Sequence, residues 1–528
     1  MQVYPYAPED EIVQAARQGM AIARFARDTP DRPAVIAEQG GRTYGELNRR
    51  ANQLARVWRR AGIRAGDAIA LLMSNRAEFL DVYMAALRTG VRMTPVNWHL
   101  KADEIAYIVD NCEARTLITE ERFREAAVNA TRQAPRLCQR LMLTDGQAPA
   151  GFLNYDEALQ AADDRDLEDP CYGRYMLYTS GTTGRPKGVL RATREPFLPS
   201  WEEGPGQIHP LEAKELLTGP AYHGAPIVSL ARTLISGATV VLMDKWDAET
   251  TLKLIQDHRI THTHMVATMF HRLLQLPRSV RDSYDVSSLK VVLHGAAPTP
   301  VPVKKAMIDW FGPVLLEYYG GSEGSAGFRV TSEEWLRKPG TVGRQGPDHD
   351  NIILDDEGRP VPAGTTGTIY TRQPPEERFE YFRDPQKTAA SYRGAYFTLG
   401  DMGYFDEDGY LFLTGRTAEL IISGGVNIYP QEVDNELMEH DAINEVCTIG
   451  VPSEEWGEEI KSVVQLRQGY TPSADLTRDI ISFARSRLGN YKCPRSIDYV
   501  DELERLPTGK IRRSQVREPY WAGRERQI

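Results

Sequence analysis

From residue 43 onward, short apolar runs alternate with amphipathic segments of helical period. "DAIALLMS" (67–74) is followed by "AEFLDVYMAALRTG", and the rhythm returns at "LLTG", "ATVVLMD", "TLKLIQDHRI", "THTHMV", "LKVVLHGAA" and "VKKAMIDWFG". A strand followed by a helix must cross over before pairing again, so this alternation predicts parallel sheets flanked by helices. Within 43–63, Leu47, Ala51, Leu54 and Val57 recur at helical spacing, and Thr43 with Glu46 forms a capping box. At 528 residues the chain is too long for one simple core, which predicts two or more domains.

The texture changes twice along the chain. Residues 350–415 break into short runs punctuated by glycine, and "DEDG" between hydrophobic runs signals a hairpin, so an antiparallel or barrel-like subdomain is expected there. After Gly415, strand and helix patterns alternate compactly over about a hundred residues, the size of a separate small α+β domain. The expected fold class is therefore α/β. A large N-terminal domain (1–415) carries parallel-sheet layers and the barrel-like subdomain, and a small C-terminal α+β domain covers 416–528.

A net charge of −10 and a pI near 5.6 argue against a general nucleic-acid or anionic-membrane binder. Five cysteines without a CxxC pair fit a reducing compartment and give no zinc or disulfide framework. The N-terminus lacks a basic start followed by an apolar run. No stretch approaches the roughly 18 apolar residues of a membrane span. A soluble cytoplasmic protein is expected.

One run fits neither a helix nor a strand interior: "YTSGTTGRPKG" (178–188). Its glycines let backbone N–H groups converge on one point. Thr179, Ser180, Thr182 and Thr183 add hydroxyls, and Arg185 and Lys187 add positive charge. Such a loop suits a polyphosphate, although a plain surface turn has the same composition. A Walker loop is excluded, because Gly184 is followed by Arg-Pro-Lys and Pro186 would interrupt the opening helix.

The run resembles the phosphate-binding signature of the adenylate-forming (AMP-binding) superfamily, which includes acyl-CoA synthetases, aryl-CoA ligases, luciferases and peptide-synthetase adenylation domains. That resemblance assigns Thr179, Ser180, Gly181, Thr182, Thr183, Gly184 and Lys187 to ATP, with Thr182 beside Mg²⁺. Further motifs follow in order. "YYGGSEG" (318–324) resembles the aromatic–glycine–hydroxyl–glutamate motif, implying Tyr319 on the adenine face, Gly320 and Ser322 at the nucleotide, and Glu323 on Mg²⁺, for which a carboxylate oxygen is the right hard ligand. "LHGAAP" (293–298) adds Gly295, Ala296 and Ala297. "AYFTLGD" (395–401) resembles the ribose-binding segment and gives Asp401. "GRTAELIISGGVNIYPQEV" (415–433) resembles the domain crossover and gives Arg416 near ribose and phosphate. In the same segment Ala418 is the hinge, where relatives commonly carry aspartate or lysine, and Gly424 and Gly425 lie along the pantetheine path. "PTGKIRR" (507–513) resembles the catalytic-lysine motif and gives Lys510.

The chemistry implied is ATP-dependent. A carboxylate attacks the α-phosphorus, releasing pyrophosphate and leaving an acyl-adenylate; a thiol then displaces AMP. Lys510 bridges carboxylate and α-phosphate, and the small domain rotates between the two steps. The resemblance places the acid pocket along 220–228, 265–274, 293–298 and 320–327. With no aspartate in 220–228, a plain fatty, alicyclic or aryl-alkanoic acid is favoured over an amino acid. His223 either gates the carboxylate entrance or caps a turn. His262, His264 and His271 read as surface residues of helix or strand, not metal ligands. Coenzyme A is the expected thiol. The alternatives are a free-standing acyl carrier protein and, in another class, a non-catalytic nucleotide-binding scaffold, which need not keep Lys510. A homodimer is the assembly entertained.

Overall fold

A computed structural model describes residues 10–179, 186–191, 210–297, 299–423, 426–505 and 511–522. Among the described residues, two large sheets, a three-stranded sheet (Phe379–Tyr381, Lys187–Arg191, Leu177–Thr179) and three layers of helices build the large domain. The first sheet has six strands in the order Leu153–Asn154, Gln139–Leu143, Ala114–Glu120, Ala68–Leu72, Arg92–Pro95, Arg174–Tyr175. Every pairing in it is parallel. Ala68–Leu72 is buried along its whole length, as expected of a strand covered on both faces.

The second sheet has fifteen strands. Its first part, around Lys214–Leu217, His262–Met265, Val291–His294 and Leu315–Gly320, is parallel. From Leu315–Gly320 onward the pairing turns antiparallel through Ser325–Thr331, Thr341–Gln345 and Tyr410–Arg416. The switch begins at the short turn Gly321–Gly324 between Leu315–Gly320 and Ser325–Thr331, which leaves no length for a helical crossover. The expected "DEDG" hairpin joins Asp401–Phe405 to Tyr410–Arg416, with Gly409 at φ 77°.

Helices Tyr44–Arg60, Ala77–Leu87 and Gly224–Ile235 lie between the sheets and share one core with Ile69, Leu71, Leu217 and Val240. The Thr43/Glu46 capping box is formed, its Oγ1 accepting from Glu46 N at 3.2 Å. Helices Ala248–His258, Ala267–Gln275 and Val301–Phe311 cover the far face of the large sheet. The outer face of the six-stranded sheet packs against Ala102–Asn111 and Arg124–Gln133.

Residues from Ile421 onward build their own five-stranded sheet and their own core. Helices Pro430–Leu437 and Ala474–Arg487 pack into it through Val433, Leu437, Ile480 and Ala484. A short 3₁₀ turn, Thr417–Glu419, connects this smaller domain to the last strand of the large one.

Candidate active site

The parallel strands His262–Met265, Val291–His294 and Leu315–Gly320 end side by side, where open α/β sheets bind ligands. At that edge Gly295 leaves its strand directly against Tyr318. A Cβ there would stand 2.6 Å from Tyr318 O and 2.8 Å from the Tyr318 ring, so only glycine fits. Ala296, next in the chain, is exposed and held at φ 64°, a strained value for a residue with a Cβ.

Tyr319 ends the neighbouring strand, and its Oη donates to Asp401 Oδ2 at 2.9 Å. Asp401 lies opposite Arg416 in the antiparallel pair, and Arg416 Nε donates to Asp401 Oδ1 at 2.9 Å. Three residues expected at the nucleotide are thus joined through one buried carboxylate. Each oxygen of Asp401 keeps a lone pair for a further donor, such as a ribose hydroxyl.

The glycine–threonine run connects two antiparallel strands, Leu177–Thr179 and Lys187–Arg191, whose closing pair is Thr179↔Lys187. Ser180, Gly181, Thr182, Thr183 and Gly184 lie outside the described residues, as do Gly424, Gly425 and Lys510. At the base of the run, burial and neighbouring Lys387 push the Lys187 ammonium down to about 8. Lys187 and Lys387 stand 5.9 and 5.7 Å from the Tyr381 ring centroid, and Tyr381 Oη donates to Glu323 Oε1 at 3.0 Å. Two cations and the expected metal carboxylate therefore meet around Tyr381. Sequence reasoning missed Tyr381 and Lys387, because no local pattern marks "YFRDPQK" as part of a site two hundred residues away.

Gly320 and Ser322 belong to the turn after Tyr319, closed by Gly321 N to Gly324 O at 2.9 Å. Arg191 Nη2 donates to Ser322 O at 3.1 Å, tying that turn to the hairpin strand. A Cβ on Gly224 would stand 3.8 Å from Ser322 Oγ, which places the start of helix Gly224–Ile235 beside the same turn. His223 is the N-cap residue of that helix, but its side chain makes no capping hydrogen bond. Its ring packs against Tyr222 with centroids 4.4 Å apart, and Nε2 is buried without a hydrogen-bond partner among the described residues. Burial, with nearby His99, pushes the imidazole down to about 4, so it is neutral at pH 7.

Helix Gly224–Ile235 packs over the large sheet through Ile227, Leu230, Ala231 and Leu234. On the helix, Gly224, Ala225, Val228 and Ser229 are only half-buried; on the facing strands so are Val291, Leu293, Tyr318 and Gly327. Polar groups lie between the helix and the strands. Glu215 Oε1 and Oε2 accept from Ser229 and Thr233. His264 Nε2 and Tyr318 Oη are 3.1 Å apart.

The reading of the histidines as surface residues is corrected here. His264 is buried on a strand covered on both faces, and burial pushes it and His262 down to about 4. His271 sits at a junction with the smaller domain, 3.8 Å from Glu445. In the expected wall 265–274, Met265, Phe270 and Leu273 instead fill the core on the other side of the sheet. Met265 reaches that core from the end of its strand, and Phe270 and Leu273 reach it from the buried stripe of helix Ala267–Gln275.

The family model "AMP-binding enzyme" matches residues 22–375, and "AMP-binding enzyme C-terminal domain" matches 432–510. The chain belongs to the AMP-binding enzyme family. Membership of the adenylate-forming superfamily, with acyl-CoA synthetase chemistry, is thereby borne out: this is an AMP-forming acid–thiol ligase. The ligase is 33% identical over 506 residues to an indoleacetate–CoA ligase of Aromatoleum aromaticum, covering 94% of this chain and 97% of the relative. It is 32% identical to a feruloyl-CoA synthase of Amycolatopsis sp, with 94% and 98% covered. Its fold matches the crystal structure of the anthranilate CoA ligase AuaEII in complex with anthranoyl-AMP at a TM-score of 0.83, with 23% identity and 96% and 97% of the chains covered.

Proposed function

We propose that this ligase activates a ring-bearing carboxylic acid with ATP and passes the acyl group to coenzyme A, giving acyl-CoA, AMP and pyrophosphate. The observation that carries the nucleotide side is the Tyr319–Asp401–Arg416 trio beside the Thr179/Lys187 hairpin. The acid side rests on the small residues Gly224 and Ala225, which are half-buried, together with half-buried Leu293 and Tyr318. Relatives named for indoleacetate and ferulate point the same way.

In the first step a carboxylate oxygen bonds to the α-phosphorus as the bond to pyrophosphate breaks. Negative charge accumulates there, and fixed cations are what such a step requires. Lys187 remains largely protonated at pH 7 and lies at the base of the phosphate loop. Lys510 takes the position between carboxylate and α-phosphate. Neutral His223 borders the carboxylate entrance without attracting the acid as an ion. In the second step the thiol sulfur bonds to the acyl carbon and AMP leaves, while Gly424 and Gly425 leave space for the pantetheine arm.

The residues present fit Mg²⁺ as well. Glu323 has one oxygen engaged by Tyr381, and the other faces Gly321, 3.1 Å from where a Cβ would stand. One carboxylate together with substrate phosphates is the usual magnesium environment, and no cluster of three or more His, Cys, Asp or Glu suited to a metal occurs among the described residues. Bound there with Thr182, the ion would neutralise phosphate charge. The division at 415/416, a pivot at Ala418 and a cytoplasmic location belong to the same proposal.

The test is thioester formation with purified protein, ATP, Mg²⁺ and CoA across indole-, phenyl- and straight-chain acids of matched length. Ring acids should exceed straight-chain acids at least tenfold in kcat/KM. Preference for straight chains overturns the ring reading, and product only on an acyl carrier protein overturns the acceptor.

A further inference from the structure

The segment that carries Lys510 is pinned at its base. Arg505 and Ile511 form an antiparallel bridge across residues 506–510, and Arg512 N donates to Glu504 O at 3.2 Å. Arg505 in turn pairs with Glu445, at the start of strand Ile443–Ser453.

That pair does not stay within the smaller domain. Glu445 Oε1 lies 3.8 Å from His271 Nε2 on helix Ala267–Gln275 of the large domain. One residue earlier, Asn444 Oδ1 accepts from Gln275 Nε2 at 2.8 Å, and Gln275 Nε2 is also 2.9 Å from His271 Nε2. Arg505, Glu445 and His271 are 11%, 15% and 19% exposed, so the network is largely shielded from water where the two domains touch. Helix Ala267–Gln275 begins just past strand His262–Met265, at the edge where Gly295 and Tyr319 also lie.

We propose that His271 and Gln275, through Asn444, Glu445 and Arg505, are positioning residues that dock the smaller domain on helix Ala267–Gln275 for the adenylation step and must release it for thioester formation. The proposal rests on the ligase reading above and adds the contact that biases the two domain orientations. Two orientations of one enzyme differ little in free energy, so a few shielded polar contacts suffice to shift their populations. The same contacts are absent from any orientation that carries Asn444 and Glu445 away from helix Ala267–Gln275. The device therefore acts on one half-reaction.

The experiment measures both half-reactions on the full-length protein. Acid-dependent pyrophosphate–ATP exchange in the unsubstituted enzyme is measured first; its absence with every acid overturns the ligase reading itself. In Gln275→Ala and Glu445→Gln, exchange kcat should fall on the order of 10-fold, as expected when a reacting group is misplaced by a fraction of an ångström to an ångström. KM for ATP should stay within about twofold, as uniform binding is untouched. Thioester formation from supplied acyl-adenylate and CoA should be unchanged or faster. In a Gln275→Cys, Asn444→Cys variant with exposed Cys138 and Cys171 replaced by serine, a short bismaleimide link should preserve exchange and stop thioester formation. Equal loss in both half-reactions, or thioester formation by the linked protein at the unlinked rate, overturns the proposal.

Discussion

Tyr319 Oη and Asp401 Oδ2 are joined by a 2.9 Å hydrogen bond, although 82 residues separate them and they sit on strands from different parts of the large sheet. The bond fixes an aromatic ring and a carboxylate on one side of the proposed nucleotide site. Arg416 holds the other oxygen at 2.9 Å, so the carboxylate cannot rotate freely.

Asp401→Ala removes the acceptor for both donors and the partner proposed for ribose. A hydrogen bond to a charged group contributes about 1.5–3 kcal/mol. KM for ATP in pyrophosphate exchange should rise on the order of 10- to 100-fold. Tyr319→Phe, which loses one bond and keeps the ring, should raise it less than tenfold.

Gly295→Ala places a methyl 2.6 Å from Tyr318 O, a backbone atom that cannot give way without moving the strand. The loop proposed to meet the nucleotide must then shift, and ATP affinity measured by calorimetry should fall at least tenfold. The thermal midpoint should drop by only a few degrees, because the loop lies at the sheet edge and not in the core.

Lys304 on helix Val301–Phe311 pairs with Glu317 where both are buried, with the ammonium 4.8 Å from the Trp335 ring centroid. Burial pushes Glu317 up and Lys304 down, and the charge of each partner opposes the shift of the other. Lys304→Met strands the carboxylate and should cost about 3–5 kcal/mol in denaturant unfolding, while Lys304→Met with Glu317→Leu should recover most of it. Equal losses in the single and double variants would contradict the pairing.

Burial holds His223, His262 and His264 each near 4, below the usual 6.5 of histidine. Between pH 6.5 and 4 the unfolded chain therefore binds more protons at these sites, and their contribution makes stability fall as pH falls. Buried carboxylates such as Glu215 and Asp434 are pushed up and act in the opposite sense, so single variants isolate the histidine share. His223→Phe should flatten the slope of unfolding free energy over pH 6–4.5 by up to about 1.4 kcal/mol per pH unit. An unchanged slope would mean that His223 is solvated.

Local signals in the chain were read well because their causes are local. Thr43 and Glu46 are three residues apart, as a capping box requires, and "DEDG" turns where its composition says. Tyr319, Asp401 and Arg416 came from resemblance, and the structure joins them in one hydrogen-bonded group. What escaped depends on packing between distant segments. "HTHM" looked like surface because histidine is polar, yet a parallel strand covered by helices on both faces buries polar residues and bonds them across the sheet, as His264 does with Tyr318. Lys387 and Tyr381 come beside Lys187 only because Phe379–Tyr381 pairs with Lys187–Arg191. The Glu445–His271 contact requires two domains to be docked, which no single-segment pattern encodes.

The central claim is AMP-forming chemistry on a carboxylic acid. Incubation of the enzyme with α-labelled ATP, Mg²⁺, CoA and a ring acid should yield labelled AMP, pyrophosphate and acyl-CoA in equal amounts, with no labelled ADP. Labelled ADP with phosphate, or acyl-CoA formed without AMP, would contradict the account.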